Sequence, residues 1–183
     1  MKDLITRAKD VAEAELASMR GRLAHVSGVA ITADKVVRSL LHDRRDEVVA
    51  AAWLHDVGYG PRVRDCGFHP LDGAVFLRNQ GFPDVVSSLV AFHSGAAEEA
   101  DERGLAETLS QFTSPPNDLL DILTYADMTT GPAGELVMVE ARIAEIFDRY
   151  PSGDPVYRAV SRSAPELKAA VRRIEDQLEL AGR

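Results

Sequence analysis

The sequence predicts an all-α protein. Apolar residues recur at three- and four-residue spacing along nearly the whole chain, helix start and stop signals separate these stretches, and no segment alternates convincingly as a strand would. Over residues 3–20, Leu4, Ala8, Val11, Ala12, Leu16 and Met19 form one stripe with charges between them. Residues 22–41 continue through Val26, Val29, Ala33, Val36, Val37 and Leu40. A third helix spans about 46–56 and stops at Gly58-Tyr59-Gly60-Pro61, so residues 57–68 read as an irregular loop. His69-Pro70 starts the next helix, with proline at the first helical position and Asp72 favourable in the first turn; it ends at Asn79-Gln80-Gly81. Pro83 opens another that runs to His93-Ser94-Gly95. Residues 96–112 carry a weaker helical signal, and further helices are expected at about 117–128, 133–149, 154–163 and 165–181. No repeat or interdomain linker is evident in the 183 residues. The expected organisation is a single domain with its core over about 20–130 and residues 133–183 packed on it as a helical appendage.

Composition narrows the function. A formal net charge of −8 is a poor footprint for binding a nucleic-acid polymer, which needs a basic face, but bound cations could still attract an anionic small molecule. No apolar run approaches the roughly 18 residues needed to span a bilayer, and no membrane association is expected. The N-terminus, MKDLITRAKDVAEAE, is charged throughout, unlike a signal peptide. Cys66 is the sole cysteine, which excludes an internal disulfide and makes a cytoplasmic location the simplest expectation. The amphipathic terminal helices fit packing within the chain or on a second subunit, so the oligomeric state stays open.

The chemistry lies where polar residues interrupt apolar stripes. His55 shares a face with Val48 and Ala52, His93 with Val86, Leu89 and Val90, and Asp127 with Leu119 and Leu123. His25, Val29, Thr32, Val36 and Leu40 form a comparable stripe. A buried aspartate survives by binding a metal or meeting a counter-charge, and few lysines or arginines interrupt these faces. Several helices each directing an imidazole or a carboxylate inward is how helical proteins build metal sites. Consecutive helical residues point about 100° apart, so His55 and Asp56 can share an ion only near a helix end, which the Gly58–Pro61 break supplies. The other His-Asp pair, His42-Asp43, sits in a charged stretch with no apolar stripe leading into it and reads as solvated.

His25, then His55-Asp56, then Asp127, in the contexts RLAHVSGVA, AAWLHDVGYG and LLDILTYADMTT, resembles the H…HD…D signature of the HD superfamily of metal-dependent phosphohydrolases, over about residues 20–130. The resemblance implies a compact helical core and a divalent ion held by His25, His55, Asp56 and Asp127. His69 in GFHPLDGAVFL and His93 in LVAFHSGA extend the order to H…HD…H…H…D, similar to the members with a second metal. Carried over, Asp56 bridges two ions and His69 and His93 hold the second. Without that carry-over, His69 reads as a helix cap and His93 as a histidine favoured by a helix dipole.

The resemblance further implies hydrolysis by metal-activated hydroxide, with His55 and Asp56 at the catalytic centre. Two dications against Asp56 and Asp127 leave the inner shell net positive and attractive to phosphate. Iron is the first expectation for the metal, with manganese, zinc, magnesium and nickel as alternatives. The expected substrate is a nucleotide or another small phosphoester. Arg62 and Arg64, just after the HD pair, are expected to pair with its phosphate, and Thr129, with Thr130 and Gly131, to line the pocket mouth. Tyr59 either stacks on a base or covers the site. Two other readings remain: a di-iron oxygenase resembling myo-inositol oxygenase, which uses the same four-His, two-Asp arrangement, and a non-catalytic metal- or nucleotide-binding signalling module.

Overall fold

The computed structural model describes residues 3–40 and 42–182, the His42 side chain excepted. It is built of helices, and the described β pairing is one isolated bridge between Thr130 and Leu136. Ten α-helices are described: α1 Leu4–Glu15, α2 Arg20–Leu40, α3 Arg45–Leu54, α4 His69–Asn79, α5 Asp84–Phe92, α6 Ala96–Glu102, α7 Ala106–Leu109, α8 Asn117–Met128, α9 Val139–Arg149 and α10 Pro155–Ala181. None is long and apolar enough to cross a membrane.

The centre of the bundle is α3, in which every residue from Val48 through Leu54 is buried. It packs against α1, α2, α5 and α8. Its Ala50-Ala51-Ala52 run explains that crowding, because small side chains let several helices approach one axis closely. The stripe read over residues 3–20 divides: α1 ends at Glu15, and Leu16 to Met19 make a turn closed by Met19 N–H on the Leu16 carbonyl. That turn lets α1 and α2 both lie on α3.

Two other boundaries depart from the sequence expectation. Helix α9 begins at Val139, not near 133. Residues 130–137 instead form a turn in which Gly131 N–H donates to Glu135 O, and Val137 N–H donates to Thr129 O. Gly134 (φ +84°) permits it, and a Cβ there would lie 2.6 Å from the Ala24 carbonyl oxygen of α2. Gly28 of α2 faces it, and a Cβ at that position would meet Gly134 O at 2.7 Å. The pair of glycines therefore seats the 130–136 turn directly on α2. At the C-terminus, the two helices expected on either side of Ala164 are one, α10, running through Pro165. Its buried face, including Ala159, Ser163, Leu167, Ala170 and Ile174, is continuous across the proline, so packing offsets the missing backbone hydrogen bond.

Residues 139–181 pack on the bundle through α8, α6 and α2. A second apolar cluster joins Met128 at the end of α8 to Val139, Ile143, Val160, Leu167 and Val171. This cluster lies at the end of the bundle where the polar residues gather. Asp43 is exposed, whereas Leu41 and the His42 side chain lie outside the described residues.

Candidate metal centre

Each inward polar residue is delivered by the end of an element or by one turn of a helix. His25 lies inside α2, and His55 caps α3, which ends at Leu54. Asp56 (φ −100°, ψ 7°) has left helical geometry, so its carboxylate turns toward the same point as His55. His69 is the first residue of α4, His93 caps α5, and Asp127 is the penultimate residue of α8. His25, His55, Asp56, His93 and Asp127 are all buried, and the His69 side chain is 16% exposed.

These six side chains converge. Ligand atoms of His25, His55 and Asp56 lie within 4.8 Å of one another, and so do those of Asp56, His69 and His93. Asp56 divides its two oxygens between the groups. Oδ2 is 3.4 Å from His55 Nε2 and 3.9 Å from His25 Nε2, whereas Oδ1 is 3.3 Å from His69 Nε2. Asp127 Oδ1 reaches the first group, 3.0 Å from His25 Nε2 and 3.8 Å from His55 Nε2. His69 Nε2 and His93 Nε2 face each other at 3.3 Å.

The hydrogen bonds show that this donor set fits a cation. His25 Nδ1 meets the Gly131 carbonyl at 3.1 Å, His55 Nδ1 the Ala52 carbonyl at 2.8 Å and His93 Nδ1 the Val90 carbonyl at 2.7 Å. A carbonyl only accepts, so each Nδ1 carries a proton and each Nε2 is left facing inward. An Nε2 facing a carboxylate calls for positive charge, either a proton on the ring or a cation between the groups. His55 Nε2 is buried with no hydrogen-bond partner. Burial opposes charge on His55, yet Asp56 and Asp127 outweigh it and raise its pKa to about 9. Burial pushes Asp56 and Asp127 up, but the facing His55, Arg22 and His25 hold both well below the usual carboxylate range. Burial and the neighbouring imidazoles keep His69 and His93 below the usual histidine range, hence neutral. Two ionised carboxylates facing four inward imidazole nitrogens, three of them oriented by backbone carbonyls, make a donor set of the kind that binds divalent metal.

The surroundings hold these groups in place. Ser94, a non-glycine residue at φ 46° and ψ 45°, donates its Oγ–H to Asp127 Oδ2 at 2.5 Å. A left-handed serine beside His93 is a strained conformation retained where it orients a carboxylate. Asp72 accepts from the backbone N–H groups of Asp65, Cys66 and Gly67 at 3.0–3.1 Å, which fixes the loop leading into His69. The Tyr59 ring stacks on His69 at 4.1 Å between centroids, and the Arg22 guanidinium lies over the Tyr59 ring at 4.2 Å. Arg22 Nη1 also donates to Asp56 Oδ2 at 2.6 Å. A cavity of about 90 Å³ opens on the cluster, with Arg22, Arg142 and Arg149 among its charged lining and Met128, Val156 and Leu167 among its apolar lining.

Other expected contacts fall elsewhere. Arg62 is exposed and forms a bidentate pair with Glu15 of α1 (2.9 and 3.1 Å). Arg64 is exposed, and neither arginine lines the cavity. Thr129 Oγ1 donates to the Tyr125 carbonyl and Thr130 Oγ1 to the Ala126 carbonyl, so both hydroxyls serve the end of α8 and neither residue lines the cavity. Gly131 contributes its carbonyl to His25. Sequence patterns alone do not single out Arg22, Ser94, Arg142 and Arg149. Two of them carry a legible signal: Arg22 precedes His25 by one turn, and Arg142 lies on the helical stripe of Val139 and Ile146.

The HD-domain family model matches residues 22–151, which span α2 through α9 and contain all six converging residues. No curated protein and no solved structure matches the chain significantly. With well over half of the chain matched and the histidine–aspartate cluster assembled within the match, the chain belongs to the HD-domain family.

Proposed function

We propose that this protein is a metal-dependent phosphohydrolase of small phosphoesters. His25, His55, Asp56 and Asp127 would hold one divalent ion, and Asp56, His69 and His93 a second, iron being the first candidate. The observation that carries this reading is the division of the Asp56 oxygens between two histidine groups, since a carboxylate so placed would offer one oxygen to each of two cation sites. Divalent ions bound there supply Lewis acidity and lower the pKa of coordinated water.

The chain's own residues do the rest. Ser94 occupies Asp127 Oδ2 and leaves Oδ1 to the histidines, while the backbone carbonyls of Gly131, Ala52 and Val90 fix three imidazole tautomers. Arg22, braced on Tyr59, places a guanidinium beside Asp56 where it can pair with a phosphoryl oxygen. Met128, Val156 and Leu167 give the cavity apolar lining, which lowers the local dielectric and strengthens electrostatic contacts within it. Its volume of about 90 Å³ suits one phosphoryl group and a few waters, so a larger leaving group must extend outward.

The test is to purify the protein anaerobically, count its metals, and assay phosphate release from nucleotides and simple phosphomonoesters with and without oxygen. Oxygen-independent release that disappears in Asp56→Ala is the expected result. Strict oxygen dependence without phosphate release would overturn the reading in favour of oxygenase chemistry, and one metal per chain, unchanged in His69→Ala and His93→Ala, would remove the second site.

A further inference from the structure

A second cavity, of about 400 Å³, adjoins the first, and the two share Arg22, His25, Arg142 and Arg149 as walls. Glu145 completes its charged lining. Arg142 and Arg149 stand about two helical turns apart on α9, and both pair with Glu145: Arg142 through Nη1, Arg149 through Nη2 and through Nε at 2.9 Å. Two guanidinium groups thus share one carboxylate, leaving a positive excess on the wall between the cavities. Arg142 is only 7% exposed, and its Nε–H is buried without a hydrogen-bond partner. A buried donor left unmade costs free energy, and a guanidinium retained in that state beside an open cavity is poised for an acceptor from outside the chain. Its Nη2 lies 4.0 Å from Asp127 Oδ1, so a ligand bound by Arg142 also lies close to the histidine–aspartate cluster. Glu99 also lines the inner cavity, and its carboxylate is taken by Arg103 at 2.7 Å.

The geometry points to a second anion-binding subsite made by Arg142 and Arg149. The substrate class is then a two-ended anion: a small phosphoester whose phosphoryl group sits at the cluster in the inner cavity and whose other end, a carboxylate or a second phosphate, is held on α9. Arginine suits that role because its planar fork pairs with either group in a bidentate way. This subsite rests on the phosphohydrolase reading for the group at the inner cavity.

The test uses the full-length protein loaded with Mn²⁺ and isothermal titration calorimetry with three probes. Propylphosphonate has one anionic end, whereas 3-phosphonopropionate and ethane-1,2-diyl bisphosphonate each carry a second anionic end across two methylenes. Both two-ended probes, or the one whose second group matches the substrate, should bind at least about tenfold more tightly than propylphosphonate, the increment expected of one charge-assisted pair. That preference should fall to within about threefold in Arg149→Met, whose side chain is partly exposed and tolerates exchange. Glu145→Gln, which removes the competing carboxylate, should increase the preference. Melting temperature checks that each variant is folded, and Arg142→Lys serves as a milder probe of the buried site. Equal binding of all three probes by wild type, or a preference unchanged in Arg149→Met and Glu145→Gln, overturns the subsite while metal-dependent binding of propylphosphonate leaves the phosphohydrolase reading in place. If no phosphonate binds in a metal-dependent way, that reading fails and the subsite falls with it.

Discussion

Gly58 occupies a position with no space for a side chain: a Cβ there would lie 2.0 Å from the His69 carbonyl oxygen and 2.8 Å from Gly73 N, both backbone atoms. The turn after the HD pair must press against the first turn of α4 for His69 to reach Asp56. Gly58→Ala has no flexible neighbour to displace, so α4 must move and carry His69 with it. We expect destabilisation of about 2–3 kcal/mol in urea unfolding, as for other overpacked core positions, together with a loss of metal content. Wild-type metal content in this variant would show that the seat of α4 does not set the His69 position. At this scale much of the site is legible in the sequence. His25, His55, His93 and Asp127 interrupt apolar stripes, and burial makes such interruptions expensive enough to be informative. Arg62 and Arg64 teach the opposite lesson. Proximity in sequence to Asp56 suggests a phosphate contact, but the loop turns their side chains away, and Arg62 meets Glu15 on α1. The arginines that line the cavity come from α2 and from α9, the latter more than eighty residues along the chain from Asp56.

Among the elements, α10 tests how far a local rule governs a helix. Proline at 165 cannot donate to the Ser161 carbonyl, and in an isolated helix it would cost about 3 kcal/mol. The helix continues because Ser163 and Leu167, on either side of the proline, are both buried on one face. Pro165 itself is exposed, so exchanging it for alanine removes no packing. Pro165→Ala should therefore raise stability by about 1 kcal/mol, or about 2–4 °C in melting temperature for a chain of this length. A lower melting temperature would mean that the proline serves a bend the packing requires. The same competition moves the start of α9. Residues 133–138 carry a plausible helical pattern, but Gly28 and Gly134 seat the preceding turn on α2, and that contact commits those residues to the turn.

At the scale of the whole molecule, α2, α3, α4, α5 and α8 all contribute to one cluster, so a cation bound there joins five helices. Anything that binds only the folded state stabilises it by mass action, about 2.7 kcal/mol when free ligand is a hundredfold above its dissociation constant. Removing bound metal with a chelator should lower the melting temperature by about 5–10 °C for a chain of this length, and adding back Mn²⁺ or Fe²⁺ should restore it. An unchanged melting temperature, with metal removal verified by elemental analysis, would show that the cluster is held by its hydrogen bonds alone. The sequence by itself determined the helical class, the order of most elements and the identities of the converging histidines and aspartates. The class, the order and the inward-facing His25, His55, His93 and Asp127 follow from periodicity and from the cost of burying polar groups, which are local and additive along the chain. His69 and the joining of these residues into one ligand set follow from the family resemblance. Only the tertiary structure decided that Asp56 divides its oxygens between two histidine groups, that α10 runs unbroken through Pro165, and that Arg22, Arg142 and Arg149 are cations beside the cluster. Each depends on which distant segments meet, and that is set by how whole helix faces pack around α3.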